Sequence, residues 1–468
     1  MGRLLGAVLV TALALLAGLV GRGHGSTQQL LPRLQAVADR ATSVAFLDQR
    51  ELSHVPGLAI TVVTPSEGAS TAVGGIGDLR SGARVRRGQV QPVGSVTKPF
   101  IAVLTMRLVE NGKLQLSEGV LQIAERYGGP GAALSRLATL YRVRLEGVDL
   151  RELLNHTSGL FDFTESDRFA HAVLKRPLAD RSLRALARWG LQHKPYFRPG
   201  APGKWQYSST NTVLEAMILE AVTERPIAEQ VNSLIKEIGL KHTYYDPTPS
   251  ELRGPPIGRL LLHGYQPALA GDPNRKFYSS IARPRKAQLI LRPPVTQVTA
   301  GLPRTGRATE TSRLKRAQRF RYFDVTDGYS LSLAGPAGSL VSNPRDLATF
   351  WTAFLGGRLV RPATIEAMEQ TVPTGKNAGY GLGLTELTMP AGSLWDGSPK
   401  VKLFGHGGAI FGYNTGSFYV EDRGIIFSQT LNVLPPQNIN EHIFSNVLRV
   451  ALRRELRERG GHPSARVP

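Results

Sequence analysis

Ser95 and Lys98 stand three residues apart in VGSVTKPFIAVLTMRLVENG, the stretch from Val93 to Gly112. Residues three apart on a helix share a face. A hydroxyl and an amine so placed suit nucleophilic catalysis. Desolvation lowers the pKa of an amine, and a neutral amine can take the serine proton. A helix N-terminus also aims unpaired N–H groups at an oxyanion. The plainer alternative is a Ser N-cap beside a solvated Lys, because four-residue patterns recur by chance in 468 residues. The context favours chemistry. From Phe100 to Val109 eight of ten residues are apolar, on nearly every face. That pattern belongs to a buried helix, and it sets Lys98 at the edge of a core, where amines are rare. Pro99 is tolerated in the first turn, and Asn111-Gly112 ends the helix.

The elements around this helix come in a recognisable order. Gln28 to Gln49 reads as a helix that packs late in the fold. Leu58 to Val63 is a β-branched strand, with Ser70 to Gly75 as its hairpin partner across a turn near Ser66-Glu67-Gly68. A third short segment, near Val85 to Val93, delivers the chain to Ser95. Helical patterns follow at Glu118 to Arg126, Ala132 to Leu140, Leu150 to Leu154, Leu183 to Trp189 and Asn211 to Val222. A Pro/Gly loop from Arg198 to Gly203 leads straight into Trp205-Gln206-Tyr207-Ser208-Ser209, and loops on rigid scaffolds carry function. Pro344 to Phe354 is a helix capped by Asn343 or Ser342. From Val401 strands return as KLFGHGG, NTGSFYVED and GIIFSQTLNV, joined by turns at Ile410 to Tyr413 and Glu421 to Gly424. Asn440 to Arg457 closes the chain as a helix. Strands, many helices, strands and a helix predict one antiparallel sheet shared by both strand sets.

Composition narrows the chemistry. The chain has no Cys, which excludes disulfides, zinc-thiolate sites, a thiol nucleophile and a bacterial lipoprotein anchor. No His/Asp/Glu spacing suggests a metal, and no cofactor is expected. Arg3 precedes an apolar run of 17 residues, Leu4 to Val20. It reads as an export signal within residues 1–25, or as an uncleaved N-terminal anchor. The expected location is therefore periplasmic or secreted. Net charge is +21, and between Asp272 and Tyr322 thirteen Lys or Arg stand against two acids. This stretch, about 270–322, reads as a basic insert suited either to anionic cell-envelope material or to nothing beyond solvent. Nucleic acid is not expected as a partner of an exported chain. Residues 458–468 read as a flexible tail.

Several stretches together resemble one family. SVTKPF at Ser95, LVENGKLQL at Leu108, DLRELLNHTSGL at Asp149, PGKWQYSS at Pro202, PAGSLVSNPRDLATF at Pro336 and GHGGAIFGYNTG at Gly405 occur in the family's order. They are similar to landmarks of the serine β-lactamase-like and penicillin-binding group, on its class C β-lactamase, D-alanyl-D-alanine carboxypeptidase and esterase side. The resemblance implies an α/β (α+β sandwich) fold over about 46–457. An antiparallel sheet is flanked by helices, and an all-helical lobe spans about 95–330, with the site between them. Two motifs depart from the family's β-lactamases. Tyr207-Ser208-Ser209 stands where Y-x-N is usual, and His406-Gly407-Gly408 where K-T-G or K-S-G is usual.

By that resemblance Ser95 is the nucleophile of an acyl-enzyme, with Lys98 and Tyr207 as its catalytic partners. Which of the two is the base stays open. The oxyanion hole is expected at the backbone N–H groups of Ser95 and Ala409. Ser209, His406, Gly407 and Gly408 are expected to meet substrate, His406 by orienting it or by donating to Tyr207. His156 is expected to be structural. The function implied is hydrolysis of a small ester or a cell-envelope D-amino peptide. The alternatives are a true β-lactamase and an acylated sensor that does not turn over.

Overall fold

Strand-forming stretches from the two ends of the chain meet in one sheet. The computed structural model describes residues 30–48, 51–129, 132–268, 275–282, 289–291, 297–298, 320–389, 400–421, 423–434, 446–447 and 450–451. The N-terminal apolar run, the tail and most of the basic stretch lie outside them, as does most of the expected closing helix.

The sheet is built from β1 (Gly57–Thr64), β2 (Gly68–Asp78), β3 (Ala83–Arg84), β4 (Val372–Gly375), β5 (Ala378–Tyr380), β6 (Thr385–Met389), β7 (Val401–Ile410), β8 (Tyr413–Val420) and β9 (Ile426–Leu431). Its order is β4-β5-β6-β7-β8-β9-β1-β2-β3, antiparallel throughout. The join between early and late strands is β9 to β1, in register from Ile426 opposite Val63 to Leu431 opposite Leu58. The Leu58 to Val63 run has almost no polar alternation, and β1 is buried nearly throughout. A strand covered on both faces reads that way.

Each face has its own cover. Helix α1 (Leu30–Ala41) buries Leu34, Ala38 and Ala41 against one face, where Val447 and Ala451 also pack. The sequence reading of one helix from Gln28 to Gln49 is corrected here. The helix stops at Ala41, and the β-branched and aromatic run Val44–Asp48 forms a strand against Glu51–His54. The other face receives α5 (Pro344–Leu355). Asn343 caps it by accepting from the N–H groups of Arg345 and Asp346 at 3.0 and 2.9 Å. Trp351 of α5 is buried and donates to Ser417 of β8 at 2.9 Å.

Helix α2 (Lys98–Glu110), which follows the Ser95 turn, and helix α4 (Ser209–Thr223) are the buried axis of the helical lobe. Both are apolar on nearly all faces, so neither has a solvent side to offer. Phe100 of α2 stacks on Phe350 of α5 with ring centroids 3.9 Å apart, which ties lobe to sheet. The short helix α3 (Leu150–Asn155) opens with a capping box, Asp149 accepting from the Glu152 N–H at 2.8 Å and Glu152 from that of Asp149 at 3.0 Å. It ends at His156 in the left-handed region, φ 63°.

The basic stretch is not simply appended. Its helix Arg275–Ile281 packs on the helix Asp167–Lys175. Tyr278, Ile281 and Ala282 are buried in the main core. Its Leu289–Leu291 pairs with Phe320–Asp324, which pairs in turn with Tyr265–Pro267. The charges dominate the composition and conceal these apolar anchors.

Candidate active site

The nucleophile motif does not open directly as an α-helix. Gly94–Thr97 is a single 3-10 turn, and α2 begins at Lys98. The turn is pinned on two sides. Val93 N–H donates to Leu340 at 2.9 Å, and Thr97 donates through Oγ1 to its own turn at Gly94 at 2.7 Å. Strand β7 then lies directly against it. A Cβ on Gly408 would fall 1.9 Å from the Val93 carbonyl and 3.0 Å from Ser95 N. A Cβ on Gly94, at φ +56°, would fall 2.8 Å from Ala409 N. Glycine is therefore required at both places, and their missing side chains bring the backbone nitrogens of Ser95 and Ala409 to one rim. Ser95, Ser209 and Ala409 all line the adjoining pocket.

Lys98 is 2% exposed. Its Nζ lies 3.1 Å from Ser95 Oγ and donates to the Ala337 carbonyl at 2.9 Å. Burial pulls its pKa down to about 7, while Asp162 and Glu215 resist the fall. A neutral amine keeps an N–H for Ala337 and turns its lone pair toward the serine O–H. Tyr207 is buried too, and Lys98 Nζ stands 4.7 Å from its ring centroid. Burial raises the Tyr207 pKa, against the nearby Ser95 hydroxyl, which lowers it. The phenol oxygen has no hydrogen bond of ordinary geometry. It is a near neighbour of Ser95 in its neutral form. Of the two candidate bases, this geometry favours Lys98.

His406 corrects the sequence reading. It is fully buried, its Nε2 lies 2.9 Å from the Tyr380 hydroxyl and its Nδ1 2.5 Å from the Gly407 carbonyl. These partners make Nδ1 the donor and Nε2 the acceptor. Burial first, then the nearby Lys98, pull its pKa down to about 3, against the Gly407 bond. The ring is a neutral post behind β7. It makes no hydrogen bond to Tyr207, whose phenol oxygen has none of ordinary geometry, and it is not among the residues lining the pocket. Gly408 lets β7 approach the Ser95 turn, and the Gly407 carbonyl accepts from His406 Nδ1; neither glycine is among the residues lining the pocket beside Ser95.

Four groups that sequence reasoning did not assign to the site complete it. His156, at the left-handed end of α3, accepts at Nδ1 from Asn211 at 3.0 Å, and its ring lies between those of Tyr207 and Tyr380 at 4.4 and 4.5 Å. It holds the Tyr207 ring in place, consistent with a structural part. Asp162 and Glu215 are buried acids that act on Lys98 through charge. Glu215, one turn beyond Asn211 in α4, has its pKa pushed up to about 8 by burial. The signal for it was an acid in the apolar run TVLEAMILEAV. Tyr380 came from the Gly-rich strand β5, one in from the sheet's edge, which carries no strand pattern.

A family model described as Beta-lactamase matches residues 46–449. The chain belongs to the beta-lactamase family. Within it, 222 residues are 31% identical to Esterase EstB of Burkholderia gladioli, a stretch that is 44% of this chain and 49% of that protein. Protein flp of Staphylococcus aureus matches at 23% identity over 219 residues, 46% of this chain and 40% of the relative. The chain thus spans about half or less of the length of these curated relatives. Among solved structures, it resembles D-amino acid amidase from Ochrobactrum anthropi SV3 complexed with L-phenylalanine amide, with TM-score 0.63 and 22% identity over 92% of this chain and 100% of that one. A D-stereospecific amidohydrolase from Streptomyces sp. gives TM-score 0.60 and 24% identity over 88% and 98%. At these identities the likeness is one of fold. The shared architecture is the beta-lactamase family's mixed α/β fold with its large antiparallel sheet.

Proposed function

We propose that this member of the beta-lactamase family is a serine hydrolase that cleaves an ester or amide through an acyl-enzyme on Ser95. One observation carries the reading: a buried Lys98 amine, with its pKa lowered to about 7, lies 3.1 Å from the Ser95 hydroxyl. Neutral Lys98 accepts the serine proton as Oγ attacks the carbonyl carbon. The oxyanion that forms is met by the N–H groups of Ser95 and Ala409. Collapse breaks the bond to the leaving group, which departs with the proton returned from Lys98. Water then attacks the acyl-enzyme carbonyl and gives its proton to the same amine; as the ester bond to Oγ breaks, Lys98 returns that proton to Ser95 and the acid leaves.

The likeness to an esterase and the amidase folds supports hydrolysis in general, and the preferred reading is a small ester or D-amino peptide. Export through the N-terminal apolar run, and attraction of the basic stretch to anionic envelope material, extend the proposal. Its test is covalent labelling. Ser95→Ala should abolish modification by a fluorophosphonate, read by intact mass, while cooperative thermal unfolding persists. Equal labelling of wild type and variant would remove Ser95 from its role.

A further inference from the structure

The pocket beside Ser95 has a chemistry of its own. It is walled by Phe163, Phe169, Val173, Tyr278, Leu333 and Phe411, and none of the described residues lining it carries a charge. Its cavity volume, taken as the space open to the centre of a water-sized sphere, is about 80 Å³, and it opens to solvent. The wall is assembled from four remote parts of the chain, Leu333 coming from the 3-10 turn Leu331–Leu333. Phe169 and Val173 share a face of the helix Asp167–Lys175, spaced i and i+4. Tyr278 comes from the helix at the start of the basic stretch, and Phe411 from the turn after β7. The Phe411 ring makes edge contacts with Tyr278 and Tyr329, centroids 6.3 and 5.2 Å apart. The hydroxyl-bearing residues that line it are Ser95, Thr164, Ser209 and Tyr278, and the rest of the described lining is apolar or glycine.

We infer that this site takes neutral substrates carrying an extended apolar group beside the scissile carbonyl, and that the basic stretch supplies one wall of their binding pocket through Tyr278. The inference rests on the proposed serine hydrolase reading and narrows its substrate class. Apolar surface entering an apolar wall is favoured in proportion to the area buried. A carboxylate at the same place loses its hydration and finds no cation among the described lining residues to replace it. Binding energy gained by the apolar group is available to the transition state as well, so it raises kcat/KM.

The test uses full-length protein and two ester series. One holds p-nitrophenol constant and lengthens the acyl group from acetyl through butyryl to octanoyl. The other holds acetyl constant and lengthens the alcohol. In at least one series kcat/KM should rise by about two- to fourfold per added methylene until the pocket is filled. A p-nitrophenyl hemisuccinate should fall at least about tenfold below the butyryl ester, a difference of about 1.4 kcal/mol. Val173→Trp, which fills the pocket, should cut the octanoyl-to-acetyl ratio at least about tenfold. Tyr278→Ala, which opens the wall, should reduce that ratio too, and serves if the tryptophan does not fold. Flat series in wild type, or a hemisuccinate as good as butyryl, would overturn the inference while acetate turnover and fluorophosphonate labelling leave the hydrolase reading standing. Loss of both turnover and labelling in wild type would overturn the two together.

Discussion

At the scale of single residues, the site is a set of ionisable groups that burial has moved toward each other. Lys98 is lowered to about 7 and Glu215 raised to about 8, each chiefly by desolvation. In the proposed mechanism the working form of Lys98 is the neutral amine, whose population grows as pH rises through about 7. kcat/KM for a neutral ester should therefore climb with pH up to that point and level above it. Asp162 and Glu215 favour the ammonium, while His156 and His406 are too strongly depressed by burial to carry charge there. Asp162→Asn removes the acid that acts most on Lys98, so the rising limb should shift to lower pH. A limb that stays in place in the variant would mean the carboxyl is not coupled to the amine. His406 also bears on selectivity. Being neutral above about pH 3, it offers a substrate carboxylate no cation. A short-chain aryl ester should exceed a cephalosporin in kcat/KM by at least about 10², or ~2.7 kcal/mol at the transition state. Faster cephalosporin turnover would make the β-lactamase alternative the better one. Lys in place of His406 would lie buried near Lys98 and is expected to destabilise the fold.

The elements explain how much of this could be read in advance. The buried helix α2, the hairpin of β1 and β2, the late strands β7 to β9 and the Asn343 cap were all legible, because each carries its own period or cap. Strands β4 to β6 were not, since Asn377 to Gly383 is rich in glycine and their pairing is set by β7 rather than by local preference. Ser95 and Lys98 were legible because one turn of chain holds them together. Asp162, Glu215 and Tyr380 reach the site through long-range packing, and periodicity reports burial without saying what faces what. The contact of β7 with the 3-10 turn is the clearest element-level device. Gly94 combines φ +56° with a Cβ position 2.8 Å from Ala409 N. Alanine there should displace the Ala409 N–H from the oxyanion, lowering kcat by about 10²–10³. The left-handed backbone adds a cost of about 1–2 kcal/mol to stability. Steady-state kinetics beside a thermal melt separate the two effects. A wild-type rate in a folded Gly94→Ala protein would move the oxyanion hole elsewhere.

For the whole molecule, the helical lobe is one long excursion between β3 and β4, closed by the pairing of β9 with β1. The basic stretch lies inside that excursion, so its apolar anchors and its charges have different fates. Tyr278 and its neighbours belong to the core and the pocket. Deleting 272–322 would therefore damage hydrolysis as well as charge, and substitution is the cleaner probe. Arg313, Lys315, Arg316 and Arg319 fall outside the described residues and are four of the thirteen cations in the stretch. Replacing all four by Gln keeps the described pocket wall intact. If the stretch attracts the anionic surface of an envelope, each charge near that surface contributes on the order of 1 kcal/mol. The fourfold variant should then lose at least about tenfold in partitioning to anionic vesicles at low salt. The wild-type advantage should shrink as salt shortens the screening length toward about 8 Å at physiological ionic strength. Neutral vesicles should bind both proteins equally weakly, because net charge without an opposing surface does no work. Equal partitioning of the two proteins to anionic vesicles would leave these four charges as solvated surface, and the attraction would have to come from the remainder of the +21.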